Sequence, residues 1–212
     1  MRLPTLPRYG AGAAVYDVLS FERPVYRSGR MRAIELLGLA PGARVLDIGC
    51  GTGLNLPLLL DRIGPAGRVV GVDASAAMLE QAHRKVPADA DVRLHHGDAG
   101  DLAGLLVDER FDAVIVTYAL SIIPRWRDAW RAALARTRPG GRAAVVDLAL
   151  PTGIGRVLEP AARFACFTGG VDLSRRPWRI VEDELERVSV ETRSQGHVVL
   201  AVGTVPHARG ED

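Results

Sequence analysis

The sequence predicts an α/β domain: a mostly parallel sheet with helices on both faces, finished by an antiparallel C-terminal hairpin. Three observations predict it. Short β-branched runs alternate with longer segments of helical spacing through the middle of the chain. A glycine-rich turn at 49–53 follows the first of those runs directly and leads into a helical segment. Near the end, Gln195-Gly196 separates two strand-like runs, which is the composition of a hairpin turn.

Taken in order, residues 11–38 hold no β-rich run and read as one or two helices, broken near Pro24. Strands are expected at 43–48, 68–73, 91–96, 111–117 and 142–148. Helices are expected between them at 54–63, 75–86, 101–106 and 125–137. Ser75 is the N-cap of the second helix, with Ala77, Met78 and Ala82 on one stripe. The fourth follows Pro124 and stops near Pro139-Gly140-Gly141; residues 138–142 read as a structural turn into the fifth strand. Residues 187–194 and 197–205 form the hairpin. Between, residues 157–167 are amphipathic, followed by Thr168-Gly169-Gly170 and a helix-like piece after Pro177. The division is an N-terminal helical cap (1–40), a ligand-binding core (41–150), and an acceptor-side helical segment with the hairpin that completes the sheet (151–212).

The composition narrows the function classes. A chain of 212 residues, 48% hydrophobic and 25% charged, suits one globular domain. Its 27 basic and 25 acidic residues leave a formal charge of +2, no electrostatic footprint for nucleic acid. Lys85 is the sole lysine. Two distant cysteines, Cys50 and Cys166, fit a reducing compartment better than a disulfide. No run approaches the ~18–20 apolar residues of a membrane span. The first ten residues lack a signal peptide's apolar stretch, so a cytoplasmic location is expected. No metal is expected, since no His, Cys, Asp or Glu cluster has ligand spacing.

The chemistry is carried by Val45-Leu46-Asp47-Ile48-Gly49-Cys50-Gly51-Thr52-Gly53. Glycines there let the backbone turn and approach a ligand with no Cβ in the way, and the following helix N-terminus offers unpaired N–H groups. Cys50 reads as packing within the turn. Gly71-Val72-Asp73 closes the next strand; Asp73, twenty residues after Gly53, is placed to accept from both hydroxyls of a ribose. The plainer reading makes Asp73 a cap for the helix at Ser75. Gly97-Asp98-Ala99 ends the third strand, where a carboxylate can accept from an exocyclic amine or lie in a solvated loop. Thr117 and Tyr118 end the fourth strand at the same sheet edge.

In this order and spacing, residues 43–150 resemble the core of class I S-adenosylmethionine-dependent methyltransferases, which implies a Rossmann-like seven-stranded sheet. The resemblance implies S-adenosyl-L-methionine as cofactor and S-adenosyl-L-homocysteine as product. It places the cofactor on Asp47, Gly49, Cys50, Gly51, Asp73, Ala74, Met78, Gly97, Asp98, Ala99 and Thr117. Tyr16-Asp17 and Tyr26-Arg27-Ser28-Gly29-Arg30 are similar to the N-terminal segment of phospholipid N-methyltransferases and quinone-biosynthesis C-methyltransferases. This implies that Tyr16, Tyr26 and Arg30 lie near the methionine end of the cofactor, with Asn55 reaching its carboxylate. The two tyrosines also fit a plain helix-packing role.

The implied reaction is methyl transfer to a small-molecule or lipid-like acceptor, with amines slightly ahead of carbon or hydroxyl groups because a neutral amine needs no base. Tyr118 is the expected active-site residue, orienting the acceptor. Of His95 and His96, alternation lets only one face the crevice. Thr117-Tyr118-Ala119-Leu120 stands where methylases of nucleic-acid bases carry Asn-Pro-Pro-Tyr, which disfavours that substrate class. Val157, Leu158, Ala161, Phe164 and Ala165 are expected to face the core. The alternative is contact with the acceptor or a bilayer, among Arg156, Arg163, Arg175, Arg176 and Arg179. Two rival readings remain. A nicotinamide-dependent oxidoreductase would want Gly or Ala where Leu54 stands. A non-catalytic module would keep the fold without turnover.

Overall fold

The structure is a computed structural model that describes residues 25–207. Seven strands form one sheet in the order β3-β2-β1-β4-β5-β7-β6. They are β1 (Arg44–Ile48), β2 (Arg68–Asp73), β3 (Val92–His96), β4 (Phe111–Thr117), β5 (Thr137–Leu148), β6 (Glu186–Arg193) and β7 (Val198–Thr204). β1 to β5 are parallel, and β7 runs antiparallel to both β5 and β6. The expected fold class stands. The hairpin is part of the same sheet as the core and closes it on the β5 side.

Seven α-helices surround it among the described residues: α1 (Arg27–Leu37), α2 (Leu56–Ile63), α3 (Ala76–His83), α4 (Leu102–Leu105), α5 (Trp126–Arg136), α6 (Glu159–Gly169) and α7 (Arg179–Glu184). The central strands are buried on both sides, so their sequences are near-continuous apolar runs. One face buries Leu46, Val70, Val114 and Val145 against Trp130 of α5 and Val181 of α7. The other buries Val45, Ile115, Val146 and Leu200 against Ala33 and Leu37 of α1 and Leu59 of α2. Strand alternation puts Asp47 and Thr117 on the α1/α2 side, which decides where the site forms.

Ser75 caps α3 as expected: its hydroxyl accepts from the Met78 N–H. Two expectations need correction. Residues 138–141 are not simply a turn before β5. They lie within the strand as an irregularity in the β4 pairing, where Phe111 faces Thr137 but Ala113 faces Arg142. Gly140, at φ 75°, absorbs the bend. The stripe on residues 157–167 does not face the core. Val157 is 84% exposed, Leu158 63%, Phe164 70% and Phe167 75%, while α6 buries Cys166 instead. Helical spacing sets which residues share a face, but tertiary docking decides which way it turns.

α1 sits very close to the sheet at Gly29, where a Cβ would come within 2.6 Å of the Val198 side chain and 2.8 Å of the Tyr118 hydroxyl. Gly29→Val should therefore overpack this contact and cost about 1–3 kcal/mol. Urea unfolding checks it, and an unchanged midpoint would show that α1 can shift freely.

Candidate active site

Parallel strands direct their C-terminal ends to one edge, and the predicted residues gather there. Gly49, Gly51 and Gly53 all have positive φ, at 63°, 55° and 78°. Their roles differ. A Cβ on Gly49 would lie 2.5 Å from that of Ala119, and one on Gly53 would strike Leu56 and Ala82. These two glycines permit packing. A Cβ on Gly51 would meet nothing nearer than 4.0 Å, so its Cα faces open space that a ligand can enter. The Cys50 thiol is buried against Gly71, and burial pushes its pKa up, which removes it as a nucleophile. The N–H groups of Gly49 and Cys50 are both spent on the Val72 carbonyl.

Asp73 binds the turn to β2. One oxygen accepts from the Gly51 N–H and the other from the Ser75 N–H, each at 2.8 Å. It thus braces the turn before α3, while the helix cap itself is Ser75. Each carboxylate oxygen keeps a second lone pair, enough for a diol. Burial raises its pKa. Ala74 is exposed beside it, its carbonyl in contact with His96 Nε2 at 3.1 Å, while Met78 is buried. His95 Nε2 is buried without a hydrogen-bond partner among the described residues. At the end of β3 the Gly97 N–H donates to the Asp73 carbonyl, Asp98 accepts from the Gly100 N–H, and Ala99 is buried.

The centre of the edge is a buried polar network. Arg30 of α1 donates through one terminal nitrogen to Asn55 Oδ1 and Thr117 Oγ1, both at 2.7 Å. The Asn55 amide donates to Asp47 Oδ1 at 2.8 Å and to Thr117 Oγ1 at 3.2 Å. Asn55 is 1% exposed and engaged at both ends, so it orders the network and does not itself reach outward. Asp47 Oδ2 is buried with no hydrogen-bond partner among the described residues. Burial pushes the Asp47 carboxyl up to about 7, against the opposing pull of Asn55 and Arg30. A buried acceptor that the described residues leave unmatched fits a cationic donor from a ligand, and an ammonium group meets that need.

Tyr118 and Tyr26 close the α1 side. Tyr118 sits at φ 57°, unusual for a bulky residue, and its hydroxyl donates to the Tyr26 carbonyl at 2.7 Å. The two rings are 5.1 Å apart, and the Arg30 guanidinium lies 5.4 Å from the Tyr118 ring centre. Tyr118 thus clasps the start of α1. Tyr16 lies outside the described residues.

Several residues here carried no sequence signal. Lys85 Nζ donates to the Thr52 carbonyl at 2.6 Å and steadies the glycine turn from α3's far end. Asp147 is fully buried, accepting from the Ser121 hydroxyl at 2.6 Å and from the Ser121 and Leu148 N–H groups; burial pushes it up to about 6. It fixes the loop after β4. His197 lies beside Tyr26, with ring centres 6.2 Å apart. Its position directly after Gln195-Gly196 was the one available hint.

Residues 45–141 match the family described as "Methyltransferase domain". Demethylmenaquinone methyltransferase of Staphylococcus aureus is 32% identical over 136 residues, 64% of this chain and 55% of the relative. The chain thus spans about half the length of the curated relatives it matches. A SAM-dependent methyltransferase from Aquifex aeolicus superposes with TM-score 0.64 at 17% identity, covering 91% of this chain and 96% of its own. Phosphoethanolamine N-methyltransferase 2 of Haemonchus contortus, solved with phosphomonomethylethanolamine and S-adenosylhomocysteine, gives 0.67 at 16%, covering 92% and 57%. Over residues 45–141 the chain is thus similar to the core of class I methyltransferases. The cofactor of that class is S-adenosylmethionine, and the open face of Gly51, the Asp73 carboxylate and the unmatched Asp47 oxygen fit it.

Asp47 makes stability pH-dependent. Its folded pKa, about 7, lies above the ordinary aspartate value, so the folded state binds the proton more tightly than the unfolded chain. Relative to Asp47→Asn, the wild type should lose stability as pH rises from about 4 through about 7 and then level off. Urea unfolding at a series of pH values reads this, and parallel curves for the two proteins would contradict it.

Proposed function

We propose that this chain transfers the methyl group of S-adenosylmethionine to a small-molecule or lipid-like acceptor. The single observation carrying the proposal is the unmatched Asp47 oxygen below a glycine turn whose middle residue faces open space. Asp73 would hold the ribose, Asp98 the adenine side, and Asp47 the ammonium. Arg30, held by Asn55 and Thr117, would face the carboxylate. The cofactor supplies a sulfonium methyl already activated for direct displacement. The chain's share is positioning and exclusion of water. The clasp from Tyr118 to Tyr26 holds α1 against the acceptor side and supports that exclusion.

An apolar acceptor is favoured by α6 and the turn before it. Ile154, Val157, Leu158, Phe164 and Phe167 are all exposed on this stretch, with Arg156 and Arg163 among them. Such a surface suits a lipid-like molecule presented at an anionic interface. A relative named for demethylmenaquinone agrees with this reading, and a fold neighbour solved with a phosphorylated amine keeps amines in view.

Calorimetry with S-adenosylmethionine, S-adenosylhomocysteine and NADH tests the cofactor. The first two should bind and the third should not; the reverse would install the oxidoreductase reading. Asp73→Ala should weaken binding by about 1–3 kcal/mol, through loss of a charge-assisted contact. Gly51→Val should abolish it, since a branched side chain would fill the open face. Tight binding without methylation of any amine, phenol or lipid extract would favour a non-catalytic module.

A further inference from the structure

We propose that His197 is a catalytic base, taking the proton from an aromatic hydroxyl or activated ring-carbon acceptor. This rests on the methyl-transfer reading above and narrows its acceptor class. His197 immediately precedes β7, at the edge of the sheet where β5 ends. Its Nδ1 lies 2.6 Å from the Ala149 carbonyl oxygen. A carbonyl can only accept, so the proton of that bond belongs to Nδ1. In the neutral ring Nε2 then carries the bare lone pair, and no described residue takes it up in a hydrogen bond. The residue is only 8% exposed, and burial lowers its pKa, which keeps the ring neutral.

The surroundings are built to hold this ring still. The Ala149 N–H donates to the His197 carbonyl and the Thr152 N–H to that of Gln195, while the Ser194 hydroxyl donates to the Val25 carbonyl. Two chain segments, residues 149–152 and Val25 ahead of α1, therefore converge on the turn that carries His197. Tyr26 stands between His197 and Tyr118, at 6.2 Å and 5.1 Å between ring centres. A row of aromatic rings suits a planar aromatic acceptor.

Other candidate bases on this side are occupied. The Tyr118 hydroxyl is given to Tyr26, and both Asp147 oxygens accept from the chain. His95 and His96 sit on β3, at the far edge of the sheet beyond β2 and β1. In the reaction the acceptor's O–H proton passes to His197 Nε2. An oxygen pair of the resulting phenolate, or for ring-carbon transfer the ring's conjugated π pair, forms the bond to the methyl carbon; in the ring-carbon case the C–H proton at that carbon then leaves to water and restores the aromatic ring. The pair of the carbon–sulfur bond goes to sulfur, and the imidazolium returns its proton to water.

The test compares wild type, His197→Ala and His197→Gln; glutamine keeps a donor for the Ala149 carbonyl. All three should bind S-adenosylmethionine alike by calorimetry. With 1-naphthol both variants should lose about 10²- to 10⁴-fold in turnover. With 4-nitrophenol, largely ionised at pH 8, the loss should shrink, because no proton need be taken. Nitrogen-15 NMR of the wild type should show protonated Nδ1 and bare Nε2, with the Nε2 signal moving when 1-naphthol is added. Equal losses with both phenols, a protonated Nε2, or a wild type that methylates only ethanolamine or no probe at all would overturn the proposal. Failure to bind S-adenosylmethionine would instead bring down the parent reading, and this one with it.

Discussion

The site depends on keeping one carboxylate inside an apolar wall. Asp47 projects from a central strand with no exposure, where an isolated charge is expensive. The chain meets the cost with parts drawn from far apart in sequence: Asn55 ahead of α2, Thr117 ending β4, and Arg30 from α1. Each satisfies another's lone pairs or protons, and among the described residues one oxygen is left over. A network of this kind is strong when complete and fragile when any member is removed. It also makes α1 a working part of the site, because without that helix the guanidinium is lost.

The two halves of the edge have different physical characters. On the β1–β2–β3 side the features are backbone N–H groups, positive-φ glycines and carboxylates, suited to a ligand of fixed shape. On the β4–β5–β7 side they are aromatic rings, a buried Ser121–Asp147 brace and an exposed apolar helix. Tyr118 belongs to both. Its strained backbone ends the strand that supports the network, and its hydroxyl fastens the helix that completes it.

Legibility in the sequence followed the same division. The glycine turn, Asp73 and the Ser75 cap were readable because each is a local device with fixed spacing. Arg30 was readable by resemblance, yet its partners Asn55 and Thr117 were assigned other tasks, since hydrogen bonds across 25 and 87 residues leave no local trace. The orientation of α6 is not legible, because an apolar stripe does not say which way it faces. The bend at Gly140 has the composition of a turn, yet its N–H donates to the Val205 carbonyl and residues on either side of it pair with β4, so it lies within a strand. Asp147 leaves no trace in the sequence and His197 only its place after the hairpin turn, because partners on other segments create their environments.

The strand order carries a consequence for biosynthesis. β7, last of the seven in sequence, is inserted between β5 and β6. On the ribosome, β1 to β5 and their helices emerge first, and the nascent chain can assemble the glycine turn and its neighbouring strands early. β6 must then wait unpaired until β7 arrives, because among the described strands it has no other neighbour. The wall bearing His197 thus forms after the rest of the described sheet, and a product truncated before β7 would carry the glycine-turn half of the edge without the surface opposite it.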